Sequence, residues 1–595
     1  MNAEPLAVVT DAAFGVARSF TGRRWRLPAS DEAAVRALAR DAGVSSTLAR
    51  LLLTRGVSAG DVADYLNPTL KRFLPEPLTL KDMDKAVARV ARALEAGEKI
   101  AVWGDYDVDG STSAALLNEF FSGLRVTPRI YIPDRMTEGY GPNTPGLLKL
   151  KEEGVSLVLT VDCGAGAVAP LTAAREAGLD VVVLDHHAVE TPPLALAHVN
   201  PNQPGDASGL GYVCAAGITF LFAVALNRAL RETGFYARKS IVEPDLRGYL
   251  DLVGLATVAD VVPLTGVNRA FVRLGLARLD KQARPGFAAL AQIAKVQPPF
   301  TPYTLGFLFG PRINAGGRVG RASLGVELLT AKDPATAQLL AQALEIHNGE
   351  RQAIEALILD EAIALAGAQS DSPFVLVAQD GWHAGVVGIV AGRLKERTGK
   401  PALVVGFEGG MGRGSARSVP GIDIGAMVRA ARDAGAIDSG GGHAMAAGFG
   451  LKAGQVEGFR AFLAARFAGA PSDLAGELAL DAMVSPAGAT AGLVAEFAQA
   501  GPYGAGNAEP VVAVPDVQIQ FVDVVGKDHV RLRLTGGDGK RLDAIAFRIA
   551  DLPLGKALLA ARGKRIHAAG RLRAEEWQGQ KRVQLHLEDA ALAGV

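Results

Sequence analysis

The sequence predicts a multidomain α/β protein: a parallel-sheet domain, a long connecting helix, a second α/β domain and a C-terminal β-barrel of the OB type. From about Lys99, short apolar runs alternate with helical segments, which is typical of a parallel sheet covered on both faces. Between Asp333 and about Gln369 the chain is rich in Ala, Leu, Glu and Gln, which favours one or two long helices. From about Val511, strand-like segments with basic residues at their turns indicate a small barrel.

The length and these patterns together predict the domain organisation. With 595 residues, of which 49% are hydrophobic, the chain is large enough to bury several cores. The expected segments are a mixed, partly helical region at 1–80, the parallel-sheet domain at 81–332, connecting helices at 333–370, the second α/β domain at 371–470 and the OB-type domain at 471–595.

Composition excludes several classes of protein. The formal net charge is zero, so a surface that binds a polyanion must come from a local cluster or from bound cations. Cys163 and Cys214 form neither a CxxC pair nor a disulfide framework, which suits a reducing compartment. No apolar run approaches the roughly 18 residues of a membrane span. We therefore expect a cytoplasmic protein that does not cross a membrane.

Three apolar runs end directly before acidic or imidazole side chains. The runs are 100–103, 157–161 and 181–184. They precede, respectively, Gly-Asp-Tyr-Asp-Val-Asp-Gly at 104–110, Asp162, and Asp-His-His at 185–187. Because ligands bind at the carboxyl ends of parallel strands, these side chains should meet in one crevice. Each acid alone could be an ordinary helix cap or turn residue. Acids at three strand ends together favour a metal site.

The chemistry of these side chains indicates which metals would bind. Crowded carboxylates repel one another, and divalent cations relieve that repulsion. Mixed carboxylate and imidazole ligation suits Mn²⁺ and admits Mg²⁺. A pair of such cations could activate water for displacement at phosphorus.

These segments, with Asp260 further along the chain, resemble the four successive motifs of the DHH phosphoesterase superfamily. The resemblance implies two divalent cations, Mn²⁺ or Mg²⁺, with Asp162 as the ligand that bridges them. The implied metal ligands are Asp105, Asp107, Asp109, Asp162, Asp185, His186, His187 and Asp260. The implied catalytic residues are Asp107, Asp109, Asp162, His186 and His187. Some superfamily members carry a histidine four residues before the first ligand of the pair that corresponds to Asp107 and Asp109, and this chain has Trp103 there.

Two glycine-rich segments in the second α/β domain predict phosphate binding. They are 412–418, which contains two arginines, and 439–445, in which three glycines precede a run expected to be helical. Glycines let backbone N–H groups converge on an anion, and a helix N-terminus adds a favourable dipole. With residues 382–391, the segments resemble the DHHA1 domain of the same superfamily, although either alone could be a turn. The substrate-binding candidates here are Arg413, Ser415, Arg417, Gly441, Gly442 and His443.

A further motif, Pro-Arg-Ile-Asn-Ala-Gly-Gly-Arg at 311–318, stands between the two domains. It resembles a motif of the exonucleases in this superfamily. Its candidate contacts with a DNA backbone are Arg312, Asn314 and Arg318. The alternative is an ordinary turn with solvated arginines.

The C-terminal region separates a nuclease from the smaller hydrolases of the superfamily. Residues 501–510 resemble the motif that precedes the OB domain of the exonucleases, and a basic barrel could track a single strand. Phe547 and Trp577 are candidates for base stacking, with a core position the favoured alternative for Phe547. The resemblance implies a monomeric 5′-to-3′ exonuclease on single-stranded DNA in recombination and repair, with a single-strand-binding protein and a helicase as partners. The competing hypotheses are a hydrolase of short oligonucleotides, dinucleotides or polyphosphate, and a non-enzymatic DNA-binding scaffold.

Overall fold

The computed structural model describes residues 12–29, 31–135, 137–468, 476–577 and 580–594, without the side chains of 575–581. The chain divides into two compact units. One comprises 76–260 and 275–472, and the other comprises 1–75, 261–274 and 473–595. Within the described ranges, no helix is both long and apolar enough to cross a membrane.

The N-terminal segment contains short helices and one short strand. Its elements are β1 (Arg24–Arg26), α1 (Glu32–Ala42), α2 (Ser46–Thr54), α3 (Val62–Leu66) and α4 (Leu70–Phe73). Val35 and Leu38 are buried on α1, and Leu48 and Leu52 are buried on α2, with the three- and four-residue spacing of amphipathic helices. These side chains share one hydrophobic core with the C-terminal barrel of the same unit.

The first domain of the larger unit is built on a parallel sheet, as the alternating pattern predicts. Its elements, with the helices that follow the sheet, are α5 (Met83–Ala96), β2 (Ile100–Gly104), α6 (Val108–Gly123), β3 (Arg129–Tyr131), α7 (Thr144–Glu152), β4 (Leu157–Val161), α8 (Val168–Glu176), β5 (Asp180–Leu184), β6 (Ala197–Val199), α9 (Ala215–Glu232), α10 (Phe235–Lys239), α11 (Leu250–Ala259), α12 (Gly266–Leu279, of which 266–274 belong to the smaller unit), α13 (Pro285–Ala294), α14 (Gly310–Val319) and α15 (Leu324–Thr330). The strand order is β3-β2-β4-β5-β6, and every pairing is parallel.

The central strands β2, β4 and β5 are neighbours, and almost every residue in them is buried. This confirms the three strands expected from their apolar runs, because a parallel strand covered by helices on both faces has no polar side. Their carboxyl ends lie at the same edge of the sheet, so the residues that follow them come together.

A single helix, α16 (Pro334–Gly367), connects the first domain to the second. Its 34 residues contain no proline after the first position, and Asp333 caps its N-terminus by accepting a hydrogen bond from the Thr336 N–H. The prediction of long helical structure at this point is confirmed.

The second domain is a mixed five-stranded sheet with helices. Its elements are β7 (Val375–Asp380), α17 (Val387–Thr398), β8 (Ala402–Glu408), β9 (Met411–Arg417), α18 (Ile424–Asp433), β10 (Ser439–His443), β11 (Ala446–Lys452) and α19 (Val456–Phe467). The strand order is β10-β11-β9-β8-β7, in which only β7 and β8 run parallel.

One expectation for this domain is wrong: no helix follows the three glycines at 440–442. They form the edge strand β10, which turns directly into β11. From Ala446 to Lys452 buried residues alternate with exposed or half-buried ones, which is the period of a strand. The glycine run therefore belongs to a hairpin, and its N–H groups gain no helix dipole.

The C-terminal region forms a closed five-stranded barrel, as predicted. Its elements, with those that precede it, are β12 (Glu477–Ala479), β13 (Ala482–Met483), α20 (Ala491–Gln499), β14 (Val512–Val525), β15 (His529–Thr535), β16 (Arg541–Ala546), α21 (Pro553–Ala560), β17 (Arg565–Trp577) and β18 (Gln580–Leu592). The order β14-β15-β16-β18-β17 closes through pairing of β17 with β14. Five strands in this order, with a helix between the third and fourth, define the OB fold.

The two aromatic candidates of the barrel have different outcomes. Phe547 is 49% exposed, with its ring between those of His529 and His586, so the favoured core position is wrong. The side chain of Trp577 lies outside the described residues.

The smaller unit joins both ends of the chain through a buried hydrogen bond. β1 pairs in parallel with β12, and Trp25 in β1 is fully buried beside the barrel. The Trp25 Nε1–H donates to Oδ2 of the buried Asp589 at 2.9 Å. Asp589 Oδ1 also accepts from the backbone N–H groups of Thr21 and Ala590. A carboxylate buried in this way stays in place because donors surround it.

Replacing Trp25 by phenylalanine should destabilise this unit by about 1–3 kcal/mol, because a buried carboxylate oxygen loses its donor. Calorimetric unfolding of the full chain measures the shift. Trp103→Phe is the matched control, since Trp103 is equally buried and its Nε1–H meets no acceptor among the described residues. Equal shifts for the two variants would show that the hydrogen bond contributes nothing.

Candidate metal centre

The loop after β2 supplies the first group of carboxylates. Asp107 caps α6 and accepts a hydrogen bond from the Gly110 N–H at 3.0 Å. The buried Asp105 packs against the same turn, where a Cβ on Gly110 would lie 2.5 Å from the Asp105 carbonyl oxygen. Only glycine permits this close approach, so the sequence Asp-Val-Asp-Gly fixes the course of the loop.

Asp109 is held by the N-terminus of another helix. Its carboxylate oxygens accept from the Ala215 and Ala216 N–H groups at the start of α9, each at 2.7 Å. These N–H groups have no partner within α9, and the helix dipole favours a negative charge there. The start of α9 thereby orients Asp109, a candidate ligand that lies 106 residues before Ala215 in sequence.

The residues after the three strands meet, as predicted. Asp162 follows β4 with a left-handed φ of 59° and is buried. The His186 Nε2 lies 3.4 Å from Asp162 Oδ1, 3.7 Å from Asp260 Oδ2 and 3.8 Å from Asp109 Oδ2. Four side chains from four separate segments therefore converge within coordination range of common ions.

Three groups of side chains in the described residues could each hold a cation. Within each group, one ligand atom per residue lies within 4.8 Å of the others. The groups are Asp105 with Asp107 and Asp162, Asp109 with His186 and Asp260, and Asp162 with His186 and His187. Asp162 belongs to two of them, which fits the bridging position implied by the superfamily resemblance.

Asp185 belongs to none of these groups. Its Oδ1 accepts from the His187 Nδ1–H at 2.7 Å and from the N–H groups of His186 and His187. Its Oδ2 accepts from the Ala165 N–H at 2.8 Å. Both oxygens are thus engaged, and Asp185 fixes the two histidines. A carboxylate behind an imidazole is a common orienting device in metal sites.

Burial and mutual repulsion shift the pKa values of the carboxyl groups. Burial, with the charge of Asp107, raises the pKa of Asp109 to about 7 and those of Asp105 and Asp162 well above the usual range. Burial and the charge of Asp109 raise the pKa of Asp260 to about 8. Without cations, much of this cluster would be protonated near neutrality.

The pKa values of the two histidines are also shifted, and in opposite directions. Burial and the neighbouring His187 lower the pKa of His186 to about 4, so the His186 imidazole is neutral near neutrality. Burial opposes the charged forms of His187 and Asp185. Their mutual hydrogen bond prevails, raising the pKa of His187 to about 9 and lowering that of Asp185 to about 2.

The centre fits divalent cations on independent grounds. Asp105 Oδ1 and His186 Nε2 are buried and have no hydrogen-bond partner among the described residues. Buried polar atoms without partners are costly, and coordination would satisfy both. The donor set of carboxylates and imidazoles matches Mn²⁺ and Mg²⁺. The Trp103 side chain is not part of the centre and packs in the apolar core between the sheet and helices α7 and α8.

Two asparagines that sequence reasoning missed hold the histidine segment. The Asn200 Nδ2–H donates to the His187 carbonyl at 2.8 Å, and the Asn202 Nδ2–H donates to the His186 carbonyl at 2.6 Å. Asn200 Oδ1 also accepts from the Asn202 N–H. Asn200 is fully buried, so this pair fixes the backbone that carries both imidazoles. The sequence Val-Asn-Pro-Asn at 199–202 was the signal that could have indicated these two asparagines.

The motif at 311–318 forms helix α14, so the turn alternative is wrong. Asn314 Oδ1 accepts from the Val108 N–H at 3.0 Å, between two candidate ligands. Arg312 is paired with Glu345 of α16 at 2.7 Å and is not a solvated arginine. Arg318 donates to the Gly385 carbonyl at 2.8 Å, and burial lowers its pKa with help from the charge of Arg135.

The candidate residues of β9 share one face of the second domain. Arg413, Ser415 and Arg417 alternate with inward-facing residues, and Arg413 is the exposed member. The Arg417 guanidinium donates to Ser415 Oγ at 2.9 Å and to the Ala416 carbonyl at 2.8 Å. Within the described part of the chain no carboxylate pairs with Arg417, and burial lowers its pKa.

The candidates of β10 lie near the metal centre and against α18. The charge of His443 contributes to the lowered pKa of His186, which places His443 within electrostatic reach of the centre. Gly442 has a φ of 148°, and a Cβ there would lie 2.4 Å from the Ala446 carbonyl oxygen. A Cβ on Gly441 would meet open space.

The loop between β3 and α7 adds residues that no motif indicated. The Tyr140 hydroxyl donates to the Asp162 carbonyl at 3.1 Å, and its ring lies edge-on to His187. The Arg135 guanidinium lies over the Tyr106 ring, 5.1 Å from its centroid. Aromatic and basic residues in a long loop carry no spacing signal, so only the structure reveals them.

The arrangement defines the class of the protein. A parallel sheet that gathers aspartates and histidines at its strand ends, joined to a second domain with unpaired basic groups, is the architecture of a metal-dependent phosphoesterase. Three domain families match the chain: the DHH family N-terminal domain at 99–257, the DHHA1 domain at 371–469 and the RecJ OB domain at 480–589.

The chain belongs to the RecJ family. The single-stranded-DNA-specific exonuclease RecJ of Bacillus subtilis (strain 168) is 34% identical over 580 residues, 96% of this chain and 71% of that protein. Its counterpart in Escherichia coli (strain K12) is 33% identical over 571 residues, 91% and 95% of the two chains. The crystal structure of RecJ in complex with Mn²⁺ from Thermus thermophilus has a TM-score of 0.80 at 30% identity, covering 95% of this chain and 79% of that one. The Mg²⁺ complex from the same organism has a TM-score of 0.74 at 29% identity, with 96% and 78% covered.

Removing the asparagine pair should weaken metal binding while the fold persists. In Asn200→Ala and Asn202→Ala, the carbonyls of the histidine segment lose their donors, and we expect Mn²⁺ affinity to fall about 10- to 100-fold, as for outer-shell partners in general. Titration calorimetry with Mn²⁺ measures this directly. Asn118→Ala, on α6 in the same domain, is the control. Unchanged Mn²⁺ affinity in both variants would contradict a positioning role.

Proposed function

We propose that this chain is a metal-dependent exonuclease that degrades single-stranded DNA from the 5′ end, in recombination and repair. The observation that carries the proposal is the set of three overlapping ligand groups that share Asp162 and His186. The OB-type barrel supports a long strand as substrate over the dinucleotides, short oligonucleotides and polyphosphate of the alternative hypothesis. The intact acids at all four motifs argue against the scaffold hypothesis.

Two divalent cations, Mn²⁺ or Mg²⁺, would be held by seven side chains. These are Asp105, Asp107, Asp109, Asp162, His186, His187 and Asp260. When bound, such cations supply an activated water and stabilise charge on the attacking and leaving oxygens at phosphorus. We assign Asp185 to positioning instead of ligation, because it belongs to none of the three ligand groups and its Oδ1 accepts from the His187 imidazole.

The chain's own groups prepare this chemistry. The Asp185 carboxylate holds the proton of His187 on Nδ1, so Nε2 is the nitrogen that would ligate a cation after losing its own proton. The α9 N-terminus orients Asp109, and the Asn314 amide holds the peptide between Asp107 and Asp109. We therefore propose that Asn314 acts through the metal loop and does not contact DNA.

Substrate phosphates would bind the basic face of the second domain together with Arg318, which comes from α14 of the first domain. Arg417 and Arg318 are largely buried guanidiniums that donate to neutral oxygens, so each retains its positive charge for an anion. We propose that Ser415, His443 and the N–H groups of Gly441 and Gly442 complete this surface. Arg413 is exposed at its edge, and Arg312 would contact DNA only by leaving Glu345.

The 5′-to-3′ polarity of cleavage would follow from the position of the proposed phosphate-binding residues. A 5′ phosphate held by Arg417 and Ser415 presents the first internucleotide linkage to the metal centre, and the remaining strand leads away from it. Because a duplex end is wider than a single strand, a narrow cleft would exclude it. Blunt duplex degraded as readily as single strand under matched conditions would contradict this account.

Cellular context is proposed on the same basis. The relatives are named as DNA exonucleases, and Cys163 and Cys214 are free and buried, which suits a cytoplasmic enzyme. We propose that the chain acts as a monomer on strands supplied by a helicase and covered by single-strand-binding protein.

Asp109→Ala should abolish hydrolysis and preserve DNA binding. The change removes a proposed ligand of the metal centre, so we expect the rate on 5′-labelled single-stranded DNA to fall by at least about a thousandfold. Gel electrophoresis reads product length and polarity, and anisotropy reads binding. Asp84→Ala is the matched control, because Asp84 is an exposed acid in the first turn of α5. Residual hydrolysis at the control rate would exclude the proposed centre.

Arg417→Ala should weaken binding of a 5′-phosphorylated strand more than that of a 5′-hydroxyl strand. Loss of a charge-assisted hydrogen bond costs about 1.5–3 kcal/mol, so KM for a 5′-phosphorylated strand should rise about 10- to 100-fold. A 5′-hydroxyl strand should show a much smaller change, since it lacks the anion. Steady-state kinetics on both strands provides the measurement, with Arg397→Ala, which removes an exposed arginine of α17, as the control. An equal KM rise for both strands would place Arg417 elsewhere on the substrate path.

A further inference from the structure

Two exposed aromatic side chains stand stacked on the surface of the first domain. Tyr303 is 62% exposed and Phe307 is 68% exposed. Their ring centroids are 5.0 Å apart, and the ring planes differ by 18°. Tyr303 directly precedes a π-helical turn, Thr304–Phe309, and Phe307 lies within it; the turn is continuous with α14. Large apolar side chains grouped in water mark a binding surface more often than chance exposure.

The turn beneath this pair is rigid. Leu305 and Phe309 point inward and are fully buried. The Phe309 ring packs on those of Phe287 and Phe300, with centroids 6.2 and 5.6 Å away. The backbone that carries the exposed rings is therefore anchored in the core, so binding does not have to order it. Single π-helical turns of this kind occur frequently at functional sites.

The turn also lies directly behind the metal centre. A Cβ on Gly310 would lie 3.7 Å from Ala259 Cβ and 3.8 Å from Val108 Cγ2, which are the neighbours of Asp260 and Asp109. The turn continues into α14, in which Asn314 bonds the metal loop and Arg318 lies about one helical turn further on.

We propose that Tyr303 and Phe307 form a stacking platform for an unpaired nucleobase of the DNA substrate. The inference rests on the proposed function and deepens it. Parallel aromatic rings with an open π-face bind any base without reading its sequence. Bases in a duplex are already paired and stacked, so they gain nothing from the platform. The platform would therefore favour single strands by attracting their bases, in addition to the exclusion of duplex from a narrow cleft.

The double variant Tyr303→Ala/Phe307→Ala tests the platform. Stacking is worth a factor of about 10 or more per base, so KM for a long single strand should rise by at least that factor, and kcat should change less. In the wild-type enzyme, one abasic residue placed at successive positions should weaken binding at a single register. The double variant should lose that register dependence.

The matched control is Leu339→Ala/Ile346→Ala, which removes two exposed apolar side chains from α16. An unchanged KM and an unchanged abasic profile in the aromatic variant would overturn the proposal. The surface would then fit a protein partner instead.

A binding readout separates this proposal from the proposed function. In Phe307→Trp, oligothymidine added without metal should quench the new indole fluorescence, and an abasic oligomer should not. Quenching in an enzyme that fails to cleave DNA would support the platform and refute the nuclease assignment. Cleavage with equal quenching by both oligomers would overturn the platform alone.

Discussion

Repulsion among buried carboxylates is the constraint on which the rest of the structure depends. Asp105, Asp109 and Asp162 are almost wholly buried, and burial with mutual repulsion raises the pKa of each. Such a cluster is unfavourable for the folded chain unless cations neutralise it. The parallel sheet brings the groups together, and the charge-balancing ions give that arrangement its chemical use. Stability and activity thus place opposite demands on the same few side chains.

The surrounding elements maintain this arrangement from behind. The α9 N-terminus holds Asp109, Asp185 holds His187, and the Asn200 amide holds a backbone carbonyl. The helix begins 106 residues after Asp109 in sequence, whereas Asn200 follows His187 by 13 residues. The ligands are consequently fixed by tertiary structure, which is what preorganisation requires.

Much of this could be predicted from the sequence, because parallel strands have a strict rule. Three apolar runs followed by acids must place those acids at one sheet edge. The failures have a different cause. The glycine run at 440–442 suits both a turn before a helix and an edge strand, and only pairing with β11 decides. Likewise, the partner of Arg312 is Glu345, 33 residues away, which local spacing does not reveal.

Helix α16 has a consequence for the products of the reaction. An unbroken helix of 34 residues spans about 50 Å, and it packs against α13, α14 and α17, so it has no point at which to flex. Arg318 adds a direct hydrogen bond to Gly385 of the second domain. The distance between the proposed phosphate-binding face and the metal centre is therefore fixed. Under the proposed function, every cut releases a fragment of one uniform size.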